Sequence, residues 1–390
     1  MNKPVGLVTC YFHHNYGSML QAYATEMILE RMNVPFQTVA CKRPKDYMRS
    51  NSLVYIVKKL LVGDWKMWYG KRKIAKYAKA DNVFAENLKV RNAKFDEFAS
   101  KYFHISRLAK DRSELELLAH DYSAFIVGSD QLWRTDSVEH GYFTLEWVPD
   151  NIRKIAYSTS IGVKKIPWFQ VAKNRTFMNR FDYVALREQS ACDIYFSLTG
   201  KSAQVVLDPT LLFTGEEWMN IQNIQPLIEG DYIFVYLLGN NPDQRNYIKK
   251  VSKETGHKIV ALLHLDDYIP SDNDFADEAP FDVGPCEFLN YIRNAKYVFT
   301  DSFHCSVFSI LYQKEFFTFS RFSENARQST NTRIANLLHI TGLEERRWNT
   351  SKNVKQAIEL KSDFSKVDER IDSLREKSMN YLHTALEGLY

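Results

Sequence analysis

Apolar and polar positions alternate along the chain so that short apolar runs each lead through a polar turn into a helical stripe. The pattern is fullest over residues 283–320, VGPCEFLNYIRNAKYVFTDSFHCSVFSILYQKEFFTFS. Phe288, Ile292 and Ala295 stand at helical spacing, and KYVFT (296–300) is the β-rich run of a strand buried on both faces. Asp301, Ser302, Phe303 and His304 interrupt it; Val307, Phe308, Ile310 and Leu311 then resume a helix, and residues 316–319 form another strand. A polar turn between a buried parallel strand and the following helix lies at the carboxyl edge of the sheet, where open α/β sheets bind ligands. Unpaired N–H groups and the positive end of the helix dipole meet there, so the turn favours an anion. His304 in such a turn bonds a phosphate or carries a proton; the plainer reading is that Asp301 or Ser302 caps a helix and His304 is a satisfied surface side chain.

The same unit recurs upstream. VGLVTC (5–10) is a strand, followed by YFHHNYGS (11–18) and a helix from about Met19 to Met32; residues 34–40 form a second strand, completing a βαβ unit and hence a parallel sheet. The opening turn lacks GxGxxG, so it is no dinucleotide fingerprint. It places Asn15, Tyr16, Gly17, Ser18 and Gln21 at a sheet edge, suited either to sugar hydroxyls or, for Asn15 and Gly17, to turn formation. Strand 124–127 runs into Gly128, Ser129, Asp130 and Gln131; strand 155–158 into Thr159, Ser160 and Gly162; and strand 183–186 into Arg187 and Glu188. Four strand ends thus point polar groups at one rim. Strand 205–207 and Asp208-Pro209 close this series, since Pro209 bars helix continuation. A helical passage near 216–219 precedes a second series: YIFVYLL (232–238), a helix near 244–255, strand 258–263 and the 283–320 stretch. The organisation expected is an N-terminal α/β domain (1–208), a C-terminal α/β domain (209–358) and a last amphipathic helix (364–386, within 359–390) crossing back to the first. A polar, mobile loop is expected at 321–329, a helix at 331–338 and an amphipathic helix at 92–105.

The length of 390 residues agrees with two domains rather than one core. A net charge of only +4 argues against nucleic acid as a partner. The one strong charge bias is local. Between Tyr55 and Lys79, eight basic residues face a single acid, Asp64, with Trp65, Trp68 and Tyr69 interleaved. Basic helices carrying interfacial aromatics suit an anionic membrane surface, although a solvated basic helix packing its aromatics on the domain has the same composition. The five cysteines are scattered without a CxxC pair, the pattern of buried thiols in a reducing cytosol, and no zinc site is expected. His13 and His14 are adjacent in an extended turn, so at most one lines the cleft, and neither has metal-ligand company. With no secretory leader and no apolar run of roughly 18–20 residues, the expected location is the cytoplasm, at most peripheral to a membrane.

Six segments in order, NYGSMLQAYA (15–24), FIVGSDQLW (125–133), IAYSTSIG (155–162), VALREQS (184–190), DPTLL (208–212) and VGPCEFLNYIRNAKYVFTDSFHCSVFSI (283–310), resemble the polysaccharide pyruvyl transferase family. The resemblance implies two Rossmann-like domains facing a cleft in a GT-B-like arrangement. It also implies transfer of the pyruvyl group of phosphoenolpyruvate onto two hydroxyls of a sugar in a capsule or exopolysaccharide unit, without a cofactor. By the same resemblance Arg187 and His304 are the donor-site candidates. Two departures stand out. Relatives often carry a second basic residue where this chain has Ser302, which leaves Arg321, Arg327 or Arg333 to replace it. Relatives with SFH usually continue with Gly, where this chain has Cys305, expected to narrow the backbone approach at the helix start.

The chemistry agrees with these residue types. A donor bearing phosphate and carboxylate needs cationic forks and helix N-termini, and Arg matches either group bidentately. Protonation of the methylene carbon and deprotonation of hydroxyls need a group such as His304, with Asp130 and Glu188 as candidate bases. Ser129, Gln131, Ser160 and Ser302 complete the expected substrate contacts. No metal is required, since cationic side chains offset the phosphate. Two other functions fit the same layout: a glycosyltransferase using a nucleotide-sugar, with Glu324 as the nearby acid for a ribose, and a non-catalytic sugar-binding relative.

Overall fold

The structure is a computed structural model that describes residues 3–41, 57, 65–135, 137–322 and 331–389. The first part of the basic segment (except Val57), Asp64, Glu324, Arg327 and most of the 321–329 loop lie outside the described residues.

Two all-parallel sheets organise the chain. The first has the order β2-β1-β3-β4-β5-β6, built from β1 (Val5–Val8), β2 (Phe36–Thr38), β3 (Ala124–Val127), β4 (Arg153–Thr159), β5 (Tyr183–Leu186) and β6 (Gln204–Val205). The second has the order β11-β10-β9-β7-β8, from β7 (Tyr232–Tyr236), β8 (Lys258–Ala261), β9 (Tyr297–Thr300), β10 (Glu315–Phe319) and β11 (Arg347–Trp348). Strands β1, β3, β7 and β9 are buried at every position, as their unbroken apolar runs require of strands covered on both faces. In each sheet the strand order reverses at its centre, between β1 and β3 and between β7 and β9. Those reversals open the crevices where such sheets take ligands.

In the first half the helices are α1 (Tyr16–Arg31), α2 (Trp65–Ala80), α3 (Asn82–Tyr102), α4 (Arg112–Leu118), α5 (Val171–Asn179) and α6 (Gln189–Thr199). In the second they are α7 (Gly215–Met219), α8 (Pro242–Thr255), α9 (Pro285–Asn294), α10 (Phe303–Leu311), α11 (Asn331–Thr341), α12 (Val354–Glu359) and α13 (Phe364–Leu386). The expected second strand shrinks from seven residues to β2: Val39 still donates to the Leu7 carbonyl of β1 at 2.8 Å, but Ala40 turns away, donating to Ser106 Oγ at 2.9 Å and accepting from the Ala109 N–H at 3.1 Å. The expected amphipathic helix at 92–105 is the second half of the longer α3, whose first turn is capped by Asp81.

Helix α3 joins the halves. Arg91 donates to the Leu263 carbonyl at 2.9 Å, Lys94 pairs with Glu287 at 3.1 Å, and Phe84 packs edge-on against Tyr268 and Phe281. Helix α2 is held on the second half too, with Tyr77 stacked on Tyr268 at 3.8 Å and Lys73 paired with Asp267 at 3.3 Å. The last helix, α13, returns to the first sheet. Ser378 accepts from the Leu207 N–H at 3.0 Å, Tyr381 donates to the Ala156 carbonyl at 3.0 Å, and Arg153 at the start of β4 reaches the carbonyls of Ala385 and Glu387. Among the described residues no helix is long and apolar enough to cross a membrane.

Candidate functional site

The carboxyl ends of both sheets converge on one buried polar cluster. Its centre is Asp208, which no strand-end argument singled out. Asp208 Oδ1 accepts from the N–H and hydroxyl of Thr210, capping a short 3-10 helix, Pro209–Leu212; Pro209 therefore starts a helical turn, where its missing N–H costs nothing, rather than barring one. Its Oδ2 accepts from Ser129 at 2.6 Å and from Arg187 Nη1 at 2.9 Å, and His304 Nε2 stands 3.5 Å away, near enough for an ion pair though not hydrogen-bonded. Three turns, after β3, after β5 and after β9, are thereby tied to one carboxylate. Burial works against the charge of Asp208, but His304 and then Arg187 outweigh it and hold the carboxyl well below the usual range.

Asp130 sits beside this centre with φ at +84°, a left-handed conformation that costs a non-glycine residue energy and is kept where the surroundings over-determine it. Here a ladder does so: the Asp130 carbonyl accepts from the Ser160 N–H at 2.9 Å, and Ser158 turns through positive φ where β4 bulges. Its carboxylate accepts from Ser18 at 2.6 Å and lies 3.8 Å from Arg187 Nη2. Burial opposes that charge as well, and Arg187, His304 and Ser18 keep it below the usual range. Arg187 is 3% exposed, yet among the described residues its Nε and Nη2 have no hydrogen-bond partner. Phe303 lies under this guanidinium, 4.5 Å from ring centre to carbon, and under that of Arg333 at 5.7 Å. Arg333 is buried on α11, and with its amide oxygen turned inward Gln131 accepts from Arg333 Nε and Nη2 at 3.1 and 3.0 Å. Burial, then the charge of Arg187, pushes the Arg333 guanidinium down to about 9.

The remaining expected residues fall into two groups. Gly17 touches the site directly, since a Cβ there would stand 2.0 Å from His304 Nδ1. Ser160 donates to Glu188 at 2.9 Å, and the same carboxylate oxygen accepts from the Ile161 and Gly162 N–H groups, leaving Glu188 Oε2 buried and, among the described residues, without a partner. The others serve the scaffold. Asn15 caps α1 by accepting from Ser18 N–H, and Ser302 caps α10 by accepting from Cys305 N–H. Tyr16 is fully buried, its hydroxyl donating to the Val283 carbonyl at 3.0 Å and its ring stacked on Phe288, so it offers nothing to the cleft. Gln21 is buried behind the turn, donating to the Ser18 carbonyl. Arg321 turns to Asp301 at 3.3 Å, while that carboxylate accepts from the Leu238 and Gly239 N–H groups. Cys305 does not narrow the helix start: it is buried in the apolar core behind it. His14 is taken up by Asn92 and Asp96. Among the described residues no three His, Cys, Asp or Glu side chains group as metal ligands.

Asp208 was legible only as the close of the first strand series and as part of the segment DPTLL (208–212), with no chemistry assigned to it. The signal that could have found it is the Ser129–Arg187 pair, which when buried needs a carboxylate.

A family model described as polysaccharide pyruvyl transferase matches residues 15–323. Solved structures share the fold. A protein described as a UDP-N-acetylglucosamine 2-epimerase, from Listeria monocytogenes, is 11% identical with a TM-score of 0.51, covering 100% of this chain and 98% of that one. Another UDP-N-acetylglucosamine 2-epimerase is 10% identical with a TM-score of 0.53, covering 99% and 95%. Both likenesses are to the GT-B architecture alone. None of the curated proteins compared matches the chain.

Proposed function

The chain belongs to the polysaccharide pyruvyl transferase family, and on that premise we propose that it moves the pyruvyl group of phosphoenolpyruvate onto two hydroxyls of a sugar. The observation that carries this reading is the buried donor set of Arg187 beside His304, with N–H groups left unpaired among the described residues where the two sheet edges meet. A buried guanidinium with two idle N–H directions is costly unless a ligand takes them, and an anion does so at charge-assisted strength. His304 stands next to that fork, positioned by Asp208 on one side and Gly17 on the other.

In the reaction, the methylene carbon of the donor gains a proton and becomes a methyl group. One sugar hydroxyl attacks the adjacent carbon, the carbon–phosphate oxygen bond breaks, and the second hydroxyl closes the ketal. Of the two hydroxyl protons, one balances the new methyl hydrogen and the other leaves on phosphate. His304 is the group suited to pass the first of these, and Asp130, kept ionised, accepts from a hydroxyl, as it already does from Ser18. Titration of the purified protein with phosphoenolpyruvate should give saturable binding between about 1 μM and 1 mM, the usual range for enzyme substrates. Saturation by a UDP-sugar with no response to phosphoenolpyruvate would overturn the reading.

The acceptor in this proposal is carried on a lipid, and the basic helix holds the enzyme at the membrane face. Helix α2 contains no acid, and while Tyr77 and Lys73 fasten it to the second half, Lys71, Arg72, Lys76 and Lys79 remain exposed. Binding to phosphatidylglycerol vesicles should fall with salt and be lost on reversing Lys71, Arg72 and Lys76 to Glu, since each basic group near such a surface contributes about 1 kcal/mol. Equal binding by that variant would remove the membrane from the account.

A further inference from the structure

We infer that Arg333 is the second anion contact of the site, and that Phe303 fixes it beside Arg187 so that the pocket selects a donor with two anionic groups. This rests on the donor reading above and assigns a residue to it. Three observations meet at Arg333. It is buried, yet among the described residues no carboxylate lies within ion-pair reach, Asp130 and Glu188 acting on it only from further off; its hydrogen bonds go to the neutral amide of Gln131. Its neighbour is another buried guanidinium, and both lie against one phenyl ring. Like charges held this close in a dry site repel, and a burial cost of this kind is relieved when an anion enters between them.

The backbone explains how a residue from the far end of the second half reaches the first. Helix α11 docks on the turn after β5, where Asn336 donates to the Arg187 carbonyl at 3.3 Å. Arg333 lies three residues earlier, nearly one turn toward the helix N-terminus, and there it meets Gln131 from the turn after β3. Position 302, at the start of α10, is occupied by a capping serine and supplies no charge. Arg321, the other described candidate, is committed to Asp301. Of these described groups, then, Arg333 alone is charged, inside the cluster and without a carboxylate.

One guanidinium would hold phosphate and carboxylate ligands alike. Two at a fixed separation, stiffened by a shared ring, reward a small molecule that carries both. The test is titration of the full chain with phosphoenolpyruvate, 2-phosphoglycolate and inorganic phosphate, for the wild type, Arg333→Gln and Arg333→Lys. The wild type should bind the two-anion probes at least tenfold more tightly than phosphate. Arg333→Gln should lose roughly 30-fold in affinity for them, as expected for a charged hydrogen-bonding partner, and less than threefold for phosphate; Arg333→Lys should recover part. An equal loss for all three ligands, with a lowered melting temperature, assigns Arg333 to the scaffold and overturns the inference, as does unchanged binding. A wild type that binds phosphoglycolate but not phosphoenolpyruvate leaves Arg333 in place and removes the donor instead.

Discussion

Replacing Gly17 by Ala should silence the protein while leaving it folded. A Cβ at this position would lie 2.0 Å from His304 Nδ1 and 2.5 Å from Cγ, closer than any two such atoms approach, so the imidazole has to move. Gly17 lies in the first turn of α1, where its backbone is helical and Ala is intrinsically the better residue, so the local helix gains rather than loses. The ring has little room to retreat: His304 is buried, with Phe303 edge-on beside it and Asp208 across. A displacement of about 1 Å at a reacting group costs on the order of 100-fold in turnover. We therefore expect kcat/KM to fall by at least about 100-fold, with a melting temperature within a few degrees of the wild type. A variant with wild-type turnover would show that His304 needs no fixed position, and would take from it the proton-transfer role.

Replacing Arg187 by Ala should have the second large effect, and it divides into two parts that a double mutant separates. Arg187 pairs with Asp208 inside the protein, at 3% and 0% side-chain exposure. Removing one partner of such a pair leaves an uncompensated buried charge and costs about 3–5 kcal/mol. Part of that is cushioned here, since Asp208 keeps Ser129 and His304. Donor binding should fall by about 100-fold or more, the worth of two charge-assisted hydrogen bonds. Adding Asp208→Asn to Arg187→Ala removes the stranded charge, so stability should return in part while donor binding does not. Recovery of both would mean that Arg187 only neutralises Asp208 and touches no ligand. Retained binding in Arg187→Ala alone would exclude it from the site outright.

What could be read from the chain before its structure follows from where each side chain finds its neighbours. Strands β3, β5 and β9 were legible to within a residue, because both faces of their sheets are covered and every position is apolar or nearly so. Helix α3 was legible only in its second half. Its first half packs Phe84 on the other domain, and a helix whose contacts are divided between two bodies shows no single stripe. The turns carrying Arg187, Asp130 and His304 were visible as polar breaks after buried strands, and they do converge. Asp208 was visible only as the Asp-Pro end of the strand series, because nothing local shows that three turns far apart in the chain meet on its carboxylate. Tyr16 shows the opposite error. It stands in a turn beside Gly17, but its ring points back into the core, which a sequence of alternating polar and apolar residues does not specify.

The return of α13 to the first sheet has a consequence for how the protein is made. Leu207, Ala156 and Arg153 each wait for a partner more than 150 positions further along the chain. As the ribosome releases the polypeptide, the first domain emerges with one apolar flank uncovered. It stays so through synthesis of the whole second half, roughly ten seconds or more at elongation rates of about 5–20 residues per second. During that interval the nascent chain offers a sticky surface to chaperones or to its neighbours. Folding of the first half is completed by α13, made only after the whole second sheet, so destabilising α13 should be felt at the first sheet.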